Sequence, residues 1–589
     1  MRGPGTLPIV ALTLLLLTVG CLGAEPTEPA EPTLKPAPEL SGAPSGEANR
    51  SDTEPRESDQ AGEPEAPQAM PVAIDCMRYL GPVDLQQATM VQLQAAMRAG
   101  EITAVDLVDA YIQRFQAYDE AGPRLNSIRI IAEDARAQAR ALDDQLERGG
   151  WAGPLHGIPV LLKDNTGTQD MPTTAGSIAL AENVPPEDAT ITARLRDAGA
   201  IILGKAQLSE FANWMSLRMP NGYSSLGGQV RNAYTLADPS GSSSGSGVAA
   251  SMALAAGTIG TETSGSILSP SNANSVVGVK PTLGLTSRAG IIPLAHNFDV
   301  PGPMVRHVED AALMLSAIAG SDPLDPYTAA TDDHLPPGGD YTAALGPDAL
   351  EGVRLGYDPN NTDELFEASL EVLTSLGAEM VPFDPGDERF VSFTEIGLIP
   401  NEFKYGINRY LAEQAGPGLP VETLTDIILY NQDHPDRVKY GQDLLIASDA
   451  TPGNREAADP AALASITATR QVVDGWFQEH DLAAIVGPNA PYTSQGAAAG
   501  YPTVTVPAGY EEGDPQGLSF FGQAYSEAEL LAYAYAYEQA SQAREPPTVV
   551  NPALVDGVCN GEEPVEHTWP SEQGMFMGTS TEALAMAVG

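Results

Sequence analysis

The stretch Ser240–Gly257, SGSSSGSGVAASMALAAG, joins two compositions with opposite habits. Its first eight residues have almost nothing to bury and, taken alone, read as a flexible Gly/Ser linker. The rest is apolar and alanine-rich, the composition of a buried helix. A spacer has no reason to open a buried helix, so the serine run is read as a loop held inside a core. A second Ser/Gly cluster follows at once, GTIGTETSGSILSPSNANSVVGVKPTLGLTSRAG over Gly257–Gly290.

Regular elements surround these loops. GIPVLLKDN, from Gly157, holds a short buried strand at Val160-Leu-Leu162 that ends on Lys163-Asp164-Asn165. TAVDLVDAYIQRFQAY reads as a helix capped by Thr103 with Asp106 as capping-box partner, its apolar stripe running through Leu107, Tyr111 and Phe115. EDARAQARALDDQLERG is a second helix, closed by Gly149-Gly150. ATITARLRDAGAIILGK is a helix leading into a strand at Ile201–Leu203. AAIVGPNAP and YPTVTVPAGY read as strands, and SEAELLAYAYAYEQA as a late helix from Ser526. Alternating short apolar strands and helices predict an α/β fold, a central, mostly parallel or mixed twisted sheet covered by helices on both faces. No internal repeat and no composition break after residue 71 divides it, so 71–589 reads as one large domain.

The ends read differently. MRGPGTLPIVALTLLLLTVGC starts basic and continues into an apolar run, Ile9–Leu17, which is too short to span a bilayer and fits a secretory signal over 1–21. Leu17-Thr-Val-Gly-Cys21 resembles a bacterial lipobox, with Thr18 where leucine is usual, making Cys21 a candidate lipidation site. Residues 22–70 are dominated by Pro, Glu, Ala and Ser and lack the apolar surface that offsets ordering entropy, so they read as a disordered tether. The chain is thus expected to be exported, periplasmic or on the cell surface. In an oxidising compartment Cys76 and Cys559 are candidates for a disulfide, the alternative being two unrelated buried thiols. Net charge is −48, of which −41 lies beyond residue 70. Such an excess excludes nucleic acid and anionic membrane as natural partners and favours solubility, leaving a lipid on Cys21 as the one expected membrane contact.

Several familiar patterns fail on context. Gly199-Ala-Ile-Ile-Leu-Gly204-Lys205 approaches a P-loop, but Ala206 lacks the hydroxyl for magnesium and the intervening residues are strand-like. Gly245-Ser-Gly247 follows a turn rather than the strand a dinucleotide loop needs. Gly241-Ser-Ser243-Ser-Gly245 spells a nucleophile elbow without its strand; an esterase built on Ser243 would draw its base from His434, His480 or His567. Seven scattered histidines with no CxxC or HExxH offer no metal site, and none is expected.

Taken together, GIPVLLKDN, LGKAQLSEFANW, PSGSSSGSG and the second serine cluster resemble the amidase signature family. The intervals match, with 79 residues from Lys163 to Ser242 and 24 more to Ser266, and the likeness covers most of 75–545 with a catalytic core of about 150–310. Glu262-Thr263 and GPMVR are most similar to its peptide-amidase branch. The resemblance implies a serine amidase that needs no cofactor, acting on a small-molecule or peptide amide. It assigns Ser266 as nucleophile, Ser242 (after a cis peptide bond) as relay, and Lys163 as base. It assigns the backbone N–H groups of Thr263, Ser264, Gly265 and Ser266 as the oxyanion hole. Ser243 is expected to support the network, Ser244 and Ser246 to fill the turn, and Asn213 and Asp299 to line the substrate pocket.

Each assignment has a physical reason. A serine hydroxyl is a weak nucleophile without a base, and a lysine can be that base only if burial strips its charge. The chain has six lysines, and the one closing a buried apolar run is a poor solubiliser. Two departures from the family pattern stand out. Ser264 replaces the usual Gly or Asp, which keeps the backbone donor but alters the pocket. Leu268 stands where many members have arginine, which argues against the glutamine-using amidotransferase branch. A non-catalytic surface binding protein on the same scaffold is the remaining alternative. The sequence leaves the acyl group, leaving group and oligomeric state open.

Overall fold

The run Pro159–Lys163 is a strand buried at every position, as its apolar composition requires. It sits in a computed structural model that describes residues 75–385, 398–454 and 460–559. The signal, the tether, Cys21 and His567 lie outside the described residues, whereas everything described belongs to one unit.

Among the described residues eleven strands build one sheet. In chain order they are β1 (Ile128–Ile131), β2 (Pro159–Lys163), β3 (Ile201–Ala206), β4 (Gly257–Glu262) and β5 (Val277–Lys280). They continue as β6 (Val300–Val305), β7 (Arg354–Tyr357), β8 (Glu379–Pro382), β9 (Ala484–Pro488), β10 (Thr503–Glu511) and β11 (Asp514–Phe521). The order across the sheet is β8-β7-β9-β11-β10-β5-β6-β4-β2-β3-β1. Parallel pairs form two blocks, β4-β2-β3 and β8-β7-β9, and antiparallel pairs join the rest. The sheet is therefore mixed rather than mostly parallel, because β6 runs against both its neighbours, β4 and β5, and β10 against both of its own, β5 and β11. Every residue of β2 through β6 is buried, so helices cover both faces of the centre.

The helices that matter for the site are α1 (Ala104–Arg114), α2 (Ala135–Glu147), α3 (Thr190–Asp197), α4 (Ser244–Ser251), α5 (Leu268–Ala273), α6 (Val308–Ile318) and α7 (Glu527–Ser541). Thr103 and Asp106 form the expected capping box at α1. The β3 strand outruns its apolar triplet by three residues because Lys205 is buried and bonded to the loop after β2, to Thr166 O at 2.6 Å and Thr173 Oγ1 at 2.7 Å. That burial also removes the P-loop reading.

The serine run is no linker. All of Ser242–Ser251 is buried. Gly245 is required there by close approach: a Cβ would lie 2.2 Å from Ser127 O and 2.5 Å from Gln207 O. Ser244 Oγ donates to Ser240 O at 2.5 Å and Ser246 Oγ to Ile259 O at 3.0 Å, so these serines stitch α4 in place rather than fill space.

Cys76 and Cys559 are disulfide-bonded across a separation of 483 residues. The bridge fastens the last described helix beside a buried network in which Asp75 pairs with Arg114 at 2.9 Å. Closing so long a loop constrains the unfolded chain. Cys76→Ser is expected to cost about 2–4 kcal/mol, seen as a lower thermal midpoint, with dithiothreitol lowering the parent protein to match.

Candidate active site

Strand register delivers the first residues. β2 and β4 run parallel with Leu162 opposite Ile259, so Lys163 and Thr261 end side by side. The loop entering α4 crosses these ends and presents Ser242 and Ser243. Lys163 Nζ lies 2.8 Å from Ser242 Oγ, 2.9 Å from Ser243 Oγ and 3.0 Å from Thr261 O. Ser243 Oγ itself donates to Thr261 O at 3.0 Å and accepts from Thr261 N at 3.2 Å. The Gly241–Ser242 peptide bond is cis. Ser243 is thus fully engaged by Lys163 and β4. His434 is bonded to Tyr430 O at 2.7 Å and His480 packs on Phe383, so neither serves Ser243 as an esterase base would.

The second loop, Thr263–Ser266, bridges β4 and α5. Ser266 is 7% exposed and joins the first loop through its backbone, where Ser243 N donates to Ser266 O at 3.2 Å. Its hydroxyl forms no hydrogen bond among the described residues. The N–H groups of Thr263, Ser264, Gly265 and Ser266 likewise donate to nothing there, leaving four adjacent donors beside the hydroxyl. Gly265 takes φ +81°, a left-handed turn that glycine adopts without strain.

Two carboxylates hold this loop, one at each end. Glu262 Oε2 accepts from Ile267 N at 2.8 Å and Leu268 N at 3.0 Å. Asp299 accepts from Thr263 Oγ1 at 2.6 Å and from Leu294 N and Ala295 N at 2.8 and 2.9 Å. Burial pushes the Asp299 carboxyl above the ordinary range, against the pull of these donors. Glu262 was missed as a site residue in the sequence; its place, immediately ahead of the serine cluster, was the available signal.

An open cleft with about 980 Å³ of empty space lies beside the loop, and Thr261, Thr263 and Asp299 form part of its wall. Ile291–Leu294, Tyr327, Tyr405 and Tyr410 also line it. Asn213 is not part of the lining, contrary to expectation. Its amide nitrogen donates to Asn221 Oδ1 at 3.0 Å, beside Gly241.

Burial pulls the Lys163 amine down to about 7, with Asp299 and Glu262 pulling the other way. Lys205 and Lys280 are equally buried and also lowered, each to about 8. Scarcity of lysine therefore does not single out Lys163. What does is its contact with two serine hydroxyls, since among the described residues Lys205 meets Thr166 O and the Thr173 hydroxyl and Lys280 the carbonyls of Pro281 and Tyr501. Among the described residues no group of His, Cys, Asp and Glu could hold a metal ion.

Comparison with known proteins places the fold. The amidase family profile matches residues 106–495. A probable amidase of Arabidopsis thaliana is 39% identical over 487 residues, 80% of this chain and 94% of that protein. The native peptide amidase of Stenotrophomonas maltophilia superposes with a TM-score of 0.73 at 42% identity, covering 78% of this chain and 98% of that one. A peptide amidase in complex with the competitive inhibitor chymostatin gives 0.72 at 41%, covering 78% and 99%. Fold and family define a hydrolase that acts on amides. The chain belongs to the amidase family, the amidase signature enzymes.

Proposed function

We propose that the chain is an exported serine amidase of the peptide-amidase kind, using Ser266, Ser242 and Lys163. The observation that carries the reading is the buried Lys163 amine, lowered to about 7 and 2.8 Å from Ser242 Oγ. Substrate turns the Ser266 hydroxyl toward Ser242; such contacts are often loose without ligand and tighten when it binds. Ser266 Oγ attacks the amide carbon while its proton passes through Ser242 to Lys163. The backbone donors of Thr263–Ser266 receive the developing oxyanion, a contribution of roughly 3–4 kcal/mol per well-placed donor. The tetrahedral intermediate collapses as the relay returns the proton to nitrogen. Ammonia or an amine leaves, and water then attacks the acyl ester by the same relay, releasing the acid and restoring Ser266.

Two peptide amidases among the similar structures, one with a competitive inhibitor bound, support a peptide amide as substrate. The Cys76–Cys559 bridge supports export, since disulfides persist in oxidising compartments. On this reading residues 1–21 direct export, 22–70 tether the enzyme, and Cys21 is the point of lipid attachment. The test is ammonia or amine release from C-terminally amidated peptides, aryl amides and fatty amides. Peptide amides are expected to turn over best, with chelators having no effect. Preference for another class would replace the peptide assignment, and inactivity on every amide would favour the surface binding alternative.

A further inference from the structure

Three arginines meet at the carbonyl end of α4 and the turn that follows it, opposite the serines. Arg114 donates from Nε to Ala253 O at 2.9 Å and from Nη2 to Met252 O at 2.7 Å. Arg306 donates from Nη1 to Ala250 O and Ala255 O, both at 2.9 Å. Arg544 Nη2 reaches Ser251 O at 3.0 Å. The last carbonyls of any helix lack intrahelical partners and carry the negative end of its dipole. One cation commonly answers that need. Here three converge from separate elements: the end of α1, the turn between β6 and α6, and the segment after α7. Arg114 and Arg306 are fully buried, an expensive placement for a guanidinium.

The helix they grip is anchored at its serine end by the Ser244 and Ser246 hydroxyls and carries no large side chain to anchor its other end. Its sequence, SGSGVAAS, offers nothing larger than valine. Its first turn follows directly on Ser242 and Ser243, which hold Lys163. Eight residues span only about 12 Å, and close contacts such as that at Gly245 leave no slack along the rod. Displacement at the carbonyl end therefore arrives at the serine end. We propose that Arg114, Arg306 and Arg544 are positioning residues for catalysis, fixing α4 so that Ser242 and Ser243 stay in register with Lys163. The proposal rests on the Ser266–Ser242–Lys163 reading. It separates turnover from binding, because α4 contributes no residue to the cleft wall, most of which comes from 288–301, 324–327 and 405–414.

The test is saturation kinetics on the full chain, following ammonia release from an N-acylated dipeptide amide. Alongside it run fluorophosphonate labelling of Ser266, to count competent sites, and thermal melts. A misplacement of about 1 Å costs on the order of 100-fold in rate, so Arg306→Met is expected to lower kcat per labelled site by about that factor. KM should stay within about twofold, since uniform binding is untouched. Arg306→Lys, which keeps one donor and the charge, is expected to recover part of the loss. Should Arg306→Met fail to fold, Arg544→Gln carries the test, because Arg544 is half-buried and holds a single carbonyl of α4. The same pattern is expected, smaller in size. A lower melting point with kcat per labelled site unchanged in either variant would overturn the proposal, leaving the arginines as stabilisers alone. A rise in KM at constant kcat would overturn it too. A parent protein unlabelled at Ser266 would overturn the active-site reading itself, and the proposal with it.

Discussion

Ser266→Ala is expected to abolish amide turnover, a loss on the order of 10⁴- to 10⁶-fold in kcat as for other nucleophile deletions in serine hydrolases. Covalent labelling by a fluorophosphonate should vanish with it, while the melting point stays close to that of the parent. The last expectation follows from the local structure. The Ser266 hydroxyl forms no hydrogen bond among the described residues, so alanine leaves no polar group unpaired. The loop is held by its backbone and by Glu262 and Asp299, neither of which touches the hydroxyl. Tandem mass spectrometry of the labelled peptide is decisive, because fragment ions carrying the adduct mass locate the modified residue among Ser242, Ser243 and Ser266. Label retained on Ser243 in the variant would transfer the nucleophile to that residue and reject the relay.

The parts of this site that were legible in the sequence are those whose meaning lies in residue type and spacing. Lys163 closes an apolar run, and Ser242 and Ser266 sit in serine-glycine loops at family intervals, so resemblance could number them. Strands at Val160-Leu162, Ala484–Pro488 and Thr503–Glu511 were visible as short apolar runs. Their direction was not, since period-two patterning is the same for parallel and antiparallel pairs. Groups whose partners are backbone atoms were invisible. Glu262 holds two N–H groups, and Arg114, Arg306 and Arg544 hold carbonyls that any residue could have supplied. Asn213 shows the converse: the right residue type in a matched segment, drawn away from the cleft by Asn221. The Cys76–Cys559 pairing could be offered but not chosen, because distance across 483 residues is a property of the fold.

Lys163→Met should cost about as much as a proton relay can supply, on the order of 10²- to 10⁴-fold in kcat. The substitution keeps the length and apolar stem of the side chain but removes the amine. Ser242 and Ser243 then lose the group that orients their hydroxyls, and Thr261 O loses one of its donors. The pH profile identifies the role. Lys163 accepts a proton only when neutral, and burial sets that change at about 7, against the opposing carboxylates of Asp299 and Glu262. In the parent enzyme kcat/KM should therefore rise about tenfold per pH unit on the acid side and level off above neutrality. Lys163→Met should lose this limb along with its rate. Asp299→Asn removes a negative charge that favours the ammonium, so its limb should move to lower pH, even as the freed Thr263 loop slows turnover. Rates measured from about pH 5 to 9 on all three proteins separate the possibilities. A limb that survives in Lys163→Met, or one that moves upward in Asp299→Asn, would assign the titrating base to another group.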